Sequence, residues 1–434
     1  MKRRGPTFFK PAKVAPKLWR DTLEIIDLSD DGRGIARRAG KAVFVRGALN
    51  GERVEARSEN VSSRYDEAAV ISVLEPASVR VQARCRHYDN CGGCQLQHLS
   101  AEAQQAHKDQ RFAGLLSRLA HDVERTQAPI VGDSWHYRHR IRLHFSIHKR
   151  QLALGFRAAK SHRITEVPGC QVLRPALTTC LQQIYKHKSA LLKLRSGMLM
   201  LAESDSGAVS AHLVLDRRPT QTVMAGFLSE FCMPVMGISA AGETLWTAED
   251  QTKNLYPGQG WHFQPQDFSQ VNPEINTAIV AQLSAWLAAQ PEDNVVDAFS
   301  GLGNFSLALA ASGAAITGIE LDSAMVVRAR ENAQVWPKLQ FIQGDLFSDA
   351  YRLPKNTTKL VLDPPRAGAA ALCRTLAGSR VERIVYVSCD PATLERDAGI
   401  LLSAGYQLRE TRWADMFPQS YHMELLCLFE RAPV

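Results

Sequence analysis

The sequence predicts a multidomain α/β protein: a small N-terminal β-barrel, an α+β centre and a C-terminal doubly wound parallel sheet. Three observations predict it. From about Asn276, near-continuous apolar strands alternate with helices, the pattern of a parallel sheet covered on both faces. Between residues 21 and 78, short runs alternate apolar and polar side chains and are cut by tight-turn residues. The length, 434 residues, exceeds one ordinary domain of about 100–200 residues. The expected divisions are a basic arm over 1–20, a barrel over 21–78, a central domain over 79–265 and a C-terminal domain over 266–434.

In the barrel region the strands are read at Leu23-Glu24-Ile25-Ile26, Lys41–Val45, Arg53–Ala56 and Ala69–Val73. Asp30-Asp31-Gly32, Gly40 and Asn50-Gly51 supply the turns between them. Four or five short strands in so little chain fit a barrel of the oligonucleotide-binding type. The centre shows a helix over Ala101–Leu119 and strand signals such as Arg140–Phe145, and resolves no further than α+β. The C-terminal region reads helix Ala278–Leu287, strand Asn294–Phe299, helix Ser306–Ala311, strand Ala315–Glu320, helix Ser323–Ala333 and strand Leu339–Gln343. Strands at Lys359–Leu362 and Arg383–Val387 follow, with a helix between them and another from Ala392, giving a Rossmann-like domain.

Hydrophobic content of 45% and charged content of 22% exclude a largely disordered chain. No apolar run reaches the roughly 18 residues that a bilayer span needs, and the basic N-terminus lacks the apolar core of a secretory signal. A cytoplasmic protein is expected. Fifty-two Lys+Arg against forty-four Asp+Glu leave a net charge of +8, and the surplus is clustered. Residues 1–20 carry seven basic side chains and no acid (Lys2, Arg3, Arg4, Lys10, Lys13, Lys17, Arg20), and Asp133–Arg163 carries eight against one. Clustered cations point to a polyanion, because each neutralised phosphate releases condensed counterions.

The chemistry concentrates at strand ends. Asp297-Ala-Phe-Ser-Gly301-Leu-Gly303 follows a strand and precedes a helix, so a ligand can approach the backbone closely. Glu320 ends the next strand, where an acid can hold ribose hydroxyls. Ser306 stands where a dinucleotide fingerprint wants Gly or Ala, which favours a nucleoside without pyrophosphate, S-adenosylmethionine above all. Asp363-Pro-Pro-Arg366 aims a carboxylate from a rigid turn. Cys389 ends another strand just before a helix at about Pro391, a setting expected to stabilise its thiolate. Cys180, Cys232, Cys373 and Cys427 lack such a setting and read as core. Cys85, Cys91 and Cys94 crowd together, with Cys170 much further on; four thiols suit zinc or an iron–sulfur cluster, and spacing alone leaves both open.

Together these motifs resemble the RNA 5-methyluridine methyltransferases. The resemblance runs through the N-terminal barrel, of the TRAM type, the cysteine cluster, Tyr137-Arg138-His-Arg140-Ile-Arg142 and Phe268-Ser-Gln270-Val-Asn272. It continues through the glycine loop, Asp363-Pro-Pro-Arg366, Ser388-Cys389-Asp-Pro and His422-Met-Glu424. Carrying both barrel and cluster implies the 23S rRNA branch, with uridine 1939 as target. The tRNA branch is expected to lack both features. The resemblance implies Cys389 as nucleophile and Glu424 as general base. It implies Gln270, Phe299, Asn304, Glu320, Asp345 and Asp363 around S-adenosylmethionine and the uracil. It further implies a [4Fe–4S] cluster on Cys85, Cys91, Cys94 and Cys170. Ala298-Phe299-Ser300 departs from the family's Leu-Phe-Cys.

The chemistry asks for the same groups. Uracil C5 is a poor nucleophile until a thiolate adds to C6, and the C5 proton must then leave to a base. A target paired or stacked in folded RNA has to be flipped out, with Arg138–Arg163 holding phosphates and Trp135 or Tyr137 stacking on bases. No obligate protein partner and no membrane are expected, and the protein is expected to be a monomer. The competing readings are uridine C5 methylation at another rRNA or tRNA site, methylation of a base amino group, and a non-catalytic RNA-binding or iron–sulfur redox protein. Amino-group methylation needs no cysteine and prefers an aromatic residue after the two prolines, where this chain has Arg366.

Overall fold

The computed structural model describes residues 18–119, 125–149, 151–159, 161–249 and 254–432. The basic arm up to Lys17, with Arg150 and Lys160, lies outside the described residues. The chain forms two compact units, one running through Ala83 and taking in Gln95–Ala103, the other formed by Arg84–Cys94 and Gln104–Val434.

The first unit holds β1 (Arg20–Glu24), β2 (Asp27–Leu28), β3 (Gly34–Arg38), β4 (Lys41–Arg46), β5 (Arg53–Val61) and β6 (Tyr65–Glu75). They make one sheet in the order β1-β5-β6-β4-β3-β2, antiparallel except for the β4–β6 pair. Val43 and Val45, Val54 and Ala56 bury every second side chain into one small core, so the period of two read from the sequence is the period that packs. The sequence reading missed β3, whose Gly34-Ile-Ala-Arg-Arg carries only one large apolar residue.

The second unit contains two sheets. Helix α1 (Ala101–Leu119) and the short β7 (Arg125–Thr126) come first in the chain. Then come β8 (Arg140–His148), β9 (Gln151–Arg157), β10 (Ile164–Thr165), α2 (Pro175–Lys186), β11 (Ser196–Glu203), β12 (Val209–Leu215), α3 (Gln221–Leu228), β13 (Val235–Ala240) and β14 (Glu243–Thr247). These strands form a sheet in the order β10-β9-β8-β11-β12-β13-β14, with α2 and α3 packed on its apolar face.

The remaining elements build the last sheet. They are α4 (Pro273–Leu287), β15 (Asn294–Ala298), α5 (Asn304–Leu309), β16 (Ala315–Glu320), α6 (Ser323–Asn332), β17 (Leu339–Gln343) and β18 (Lys359–Leu362). They continue with α7 (Ala370–Arg374), β19 (Arg383–Ser388), α8 (Pro391–Ser403), β20 (Tyr406–Ala414) and β21 (Glu424–Arg431). The order is β17-β16-β15-β18-β19-β21-β20-β7. Strands β15 to β19 are parallel, and the chain leaves β15 toward β16 on one side and returns through β18 on the other. That reversal opens a crevice outside the carboxyl ends of β15 and β18. Strand β21 runs antiparallel to β19, so its first residue lies at the same edge as the last residue of β19. The strands at 315–320, 339–343 and 359–362 fall where the sequence reading put them: 359–362 is buried throughout, whereas 339–343, at the sheet edge, buries Leu339 and Phe341 and exposes Gln340 and Gln343. Helix α4 begins five residues earlier than read, since Asn272 caps it by accepting the Ile275 N–H at 3.4 Å and Pro273 fits its first turn. Among the described residues no helix is long and apolar enough to cross a membrane.

Candidate active site

The carboxyl end of β15 delivers Asp297, which is fully buried. Its Oδ2 accepts the Ser306 N–H at 3.0 Å and the Ser306 hydroxyl at 2.5 Å, tying the strand end to the first turn of α5. Its Oδ1 and the buried Ser300 hydroxyl have no hydrogen-bond partner among the described residues. Burial raises the Asp297 carboxyl to about 7 against the pull of the Ser306 bonds, and the charge of Glu320 raises it further. Phe299, at the turn, adopts φ +64°, a conformation that a bulky side chain rarely takes and that surrounding structure must impose. Gly303 has to be glycine: φ is +93° and a Cβ would sit 2.7 Å from the Phe341 ring. Glu320 ends β16 and turns back to the loop, accepting the Gly301 N–H at 3.0 Å and the Asp322 N–H at 2.9 Å.

The other expected residues of this crevice are close by in the fold. Asn304, first residue of α5, exchanges two amide bonds with Asn276 of α4, at 2.8 and 3.0 Å. Asp345 is exposed just after β17 and accepts the Phe347 N–H at 3.0 Å, while the Phe347 ring meets Phe299 at 5.5 Å between centroids. Gln270 lies on the segment before α4, and its carbonyl accepts the Tyr256 hydroxyl at 2.9 Å and faces His139 Nε2 at 3.0 Å. That segment is fastened to α6 by Arg328, whose Nε donates to Asp267 at 2.8 Å. The sequence reading passed over Ser306, Asp267, Arg328, Tyr256 and His139 as positioning groups. The partners of Arg328 and His139 lie 61 and 131 residues away, beyond any local spacing, whereas Ser306 stands nine residues from Asp297.

Strands β18, β19 and β21 supply the second half of the edge. Asp363 follows β18, Cys389 follows β19, and Glu424 opens β21. Ser388 pairs with Leu425, so one step further along come Cys389, just beyond β19, and Glu424, the first residue of β21, at the same end of the strand pair. Glu424 is only 4% exposed, and burial together with the charge of Asp363 raises its carboxyl well above the ordinary range, opposed by Arg366. Half-buried Asp363 is raised to about 7 by burial and by Asp297.

The Cys389 thiol corrects the sequence reading. Burial pushes it up to about 11, with Glu424, Asp363 and Asp390 adding to the rise and Arg366 alone opposing it. The N–H groups that open α8 are taken by Asp390, the cap: its carboxylate accepts the Ala392 and Thr393 N–H groups, both at 3.0 Å. The Asp-Pro pair before an apolar run is a capping signature, and it was legible in the sequence. Two further expectations are corrected. Tyr137 is buried at 6% exposure with its hydroxyl donating to the Pro418 carbonyl at 3.1 Å, so it offers no face to a base. Arg140 points inward to the Ser269 carbonyl at 3.2 Å, and His139 is enclosed and held neutral, its ring lowered to about 3 by burial. Trp135 stays half-buried with Arg84 over its ring at 5.2 Å.

Cys85, Cys91, Cys94 and Cys170 are half-buried residues of the second unit. Residues 85–94 form tight turns, Cys91 N–H donating to His87 O at 2.8 Å. They dock on the β9–β10 hairpin, where a Cβ on Gly92 would meet the Arg157 carbonyl at 2.9 Å. Cys170 is raised to about 11 by burial, with further contributions from Cys91 and Cys85, which places these thiols in one neighbourhood. Among the described residues no group of three or more His, Cys, Asp or Glu is gathered tightly enough to hold a metal ion. Cys373 and Cys427 are core residues as read, whereas Cys232 is exposed beyond α3 and corrects that reading.

With this geometry in place, sequence models identify three regions. A TRAM domain matches residues 22–71, a methyltransferase domain 295–364, and tRNA (Uracil-5-)-methyltransferase 345–432. The chain is 35% identical over 432 residues to the 23S rRNA (uracil(1939)-C(5))-methyltransferase RlmD of Shewanella sp. (strain MR-7), covering 95% of this chain and 96% of that protein. Against RlmD of Shewanella woodyi the identity is 36%, covering 94% of this chain and 95% of the relative. The chain belongs to the RlmD family of 23S rRNA (uracil-C5)-methyltransferases.

The fold is also that of a Pyrococcus abyssi tRNA (uracil-54, C5)-methyltransferase solved with S-adenosyl-L-homocysteine. The TM-score is 0.73 at 23% identity, covering 94% of this chain and 99% of that one. A tRNA enzyme thus shares nearly the whole architecture of this RlmD-family chain, which corrects the expectation that architecture alone separates the rRNA branch from the tRNA branch.

Proposed function

We propose that this chain methylates C5 of uridine 1939 in 23S rRNA with S-adenosylmethionine, through a covalent bond between Cys389 and uracil C6. The observation that carries this reading is the register that sets Cys389 and Glu424 at the same end of a strand pair, at the edge of a methyltransferase crevice, in a chain of the RlmD family. In this reading Cys389 gives up its thiol proton to solvent as its Sγ adds to C6, and the C5=C6 electrons pass into an enolate over C5 and O4. S-adenosylmethionine supplies an electrophilic methyl on a cationic sulfonium, taken up by C5 as S-adenosylhomocysteine leaves. Glu424 then takes the C5 proton, the C5–H electrons restore C5=C6, and the Cys389 thiolate is expelled. Glu424 suits this step because burial raises its affinity for protons. Burial and the neighbouring carboxyls favour the protonated Cys389 thiol, and cationic charge entering beside Asp363 and Glu424 opposes that rise. The test is release of tritium from C5-labelled uridine in a 23S rRNA fragment, dependent on S-adenosylmethionine. Methyl transfer without tritium loss defeats the reading and favours amino-group chemistry.

The crevice residues fit the cofactor. Asp297 Oδ1 and the Ser300 hydroxyl are buried without partners among the described residues, and the carboxyls of Glu320, Asp297, Asp363 and Glu424 influence one another there. Asp297 and Asp363, both near 7, are neutral below that pH and ionise above it. Their folded values lie above the ordinary carboxylate range, so their contribution to the stability of the free protein falls as pH rises from about 4 to 7. Affinity for the cationic cofactor moves the opposite way and rises through this window, by up to about tenfold per pH unit for one linked proton. Titration calorimetry at several pH values checks this, with S-adenosylhomocysteine as the uncharged-sulfur control and a shallower slope expected for it. Equal slopes for both ligands remove these two carboxyls from the cofactor site.

The proposal extends to the rest of the chain. The flipped target uridine enters the crevice as RNA is held by the N-terminal sheet, curled as an OB-like barrel, and by the basic arm, and the enzyme acts as a monomer. Cys85, Cys91, Cys94 and Cys170 would hold a [4Fe–4S] cluster: four thiols are the donor set it needs, and burial, with Cys91 and Cys85 nearby, disfavours a bare thiolate at Cys170. With four protein ligands such a cluster would tie the 85–94 loop to Cys170 and would serve structure rather than bind substrate. Iron and acid-labile sulfide in anaerobically purified protein, lost in Cys170→Ser, are the expected result. Their absence from the wild-type chain removes the cluster.

A further inference from the structure

Helix α1 buries polar side chains where an amphipathic helix ordinarily buries apolar ones. Gln104 is 4% exposed and Lys108 is fully buried. Lys108 Nζ donates to Asp415 at 2.7 Å and lies 3.5 Å from the Phe417 carbonyl. Gln104 and Gln419 exchange two bonds at 3.1 Å, the Gln104 amide donating to Gln419 Oε1 and its oxygen accepting the Gln419 N–H. Arg111 donates to the Tyr421 carbonyl. Gln104, Lys108 and Arg111 are spaced four and three apart, so they share one helix face.

All three reach one stretch of chain, the connection between β20 and β21. It has no regular structure, yet Asp415, Gln419 and Ser420 are buried, and Gln419 is held at φ +68°. A connection of this kind ordinarily lies on the surface and moves. A buried Lys–Asp pair gains little stability over an apolar one, because desolvation offsets its attraction. What this pair does provide is position. Asp415 directly follows Ala414, and Ala414 pairs with Glu424 across β20 and β21. Cys389 and the glycine loop hang instead on the parallel strands β15 to β19.

We infer that Lys108, with Gln104 and Arg111, is a positioning device for the proton-removal half of the reaction, fixing the approach of Glu424 to the C5 proton while leaving thiol addition and methyl transfer to the parallel strands. The inference rests on the covalent mechanism proposed above. A loosened connection then stalls the enzyme after methyl transfer, with methylated RNA still bonded to Cys389.

The test follows the full-length chain in single turnover with the labelled rRNA fragment and S-adenosylmethionine, reading RNA–protein adduct on denaturing gels, methyl incorporation and tritium release. Lys108→Met is expected to accumulate adduct and to slow tritium release at least tenfold relative to methyl incorporation. Lys108→Arg, which keeps the buried cation, is expected to recover most of the release. Should Lys108→Met fail to fold, Gln104→Ala is expected to show the same imbalance to a smaller degree. Adduct in Glu424→Gln, but none in Lys108→Met or Gln104→Ala, overturns the inference alone. No adduct in any variant, with Cys389→Ala still active, overturns the mechanism on which it rests.

Discussion

Cys389→Ala is expected to bind S-adenosylmethionine normally and to lose methyl transfer and tritium release together, by on the order of 10^4-fold or more, the scale on which removal of a covalent nucleophile acts. Without the C6–S bond, uracil C5 never acquires the enolate that attacks the methyl, and none of the carboxylates at the crevice can substitute for it. Cys389→Ser is expected to be almost as inactive, because a hydroxyl in the same surroundings is still harder to ionise. Burial and the charges of Glu424, Asp363 and Asp390 already hold the thiol near 11. Retained cofactor affinity, measured calorimetrically, separates this outcome from misfolding. Undiminished methylation by Cys389→Ala removes the thiol from the chemistry and returns the amino-group reading to first place.

The features legible in the sequence were those fixed by nearest neighbours along the chain. Strand 359–362 is buried throughout, and 315–320 and 339–343 are short apolar-rich runs, so their limits follow from composition. The glycine loop, Asp363 and Cys389 could be placed at strand ends for the same reason. What stayed hidden depends on which strand lies beside which. Glu424 alone reads as an acid at the edge of an apolar run; only the antiparallel insertion of β21 beside β19 brings it to the same end of the strand pair as Cys389. The Cys389 thiol was misjudged because two of the carboxylates that raise it, from 363 and 424, arrive through the sheet. Tyr137 and Arg140 looked available to RNA because they sit in a basic run, but their partners are Pro418 and Ser269, far along the chain. The centre, read only as α+β, mixes antiparallel pairs with one parallel pair and carries no regular alternation to betray it.

Glu424→Gln keeps the shape and hydrogen-bonding capacity of the side chain and removes its ability to accept a proton as a carboxylate. Thiol addition and methyl transfer do not require that proton to move, so the variant is expected to complete one methyl transfer per active site. The adduct then has no exit, since C6–S cleavage needs the electrons of the C5–H bond. The expected result is a near-stoichiometric RNA–protein band on denaturing gels, methyl label within it, and tritium release slowed by on the order of 10^2–10^4-fold, the usual contribution of a positioned base. A Glu424→Asp variant draws the carboxylate back by one methylene and should release tritium slowly rather than not at all, with less adduct standing at steady state. If Glu424→Gln turns over freely, the proton leaves to another group, and Asp363 is the next carboxyl to test, being raised to about 7 at the same edge. If the variant neither traps RNA nor transfers methyl, the buried carboxyl acts before methyl transfer, as the group that receives the Cys389 proton when the thiolate forms.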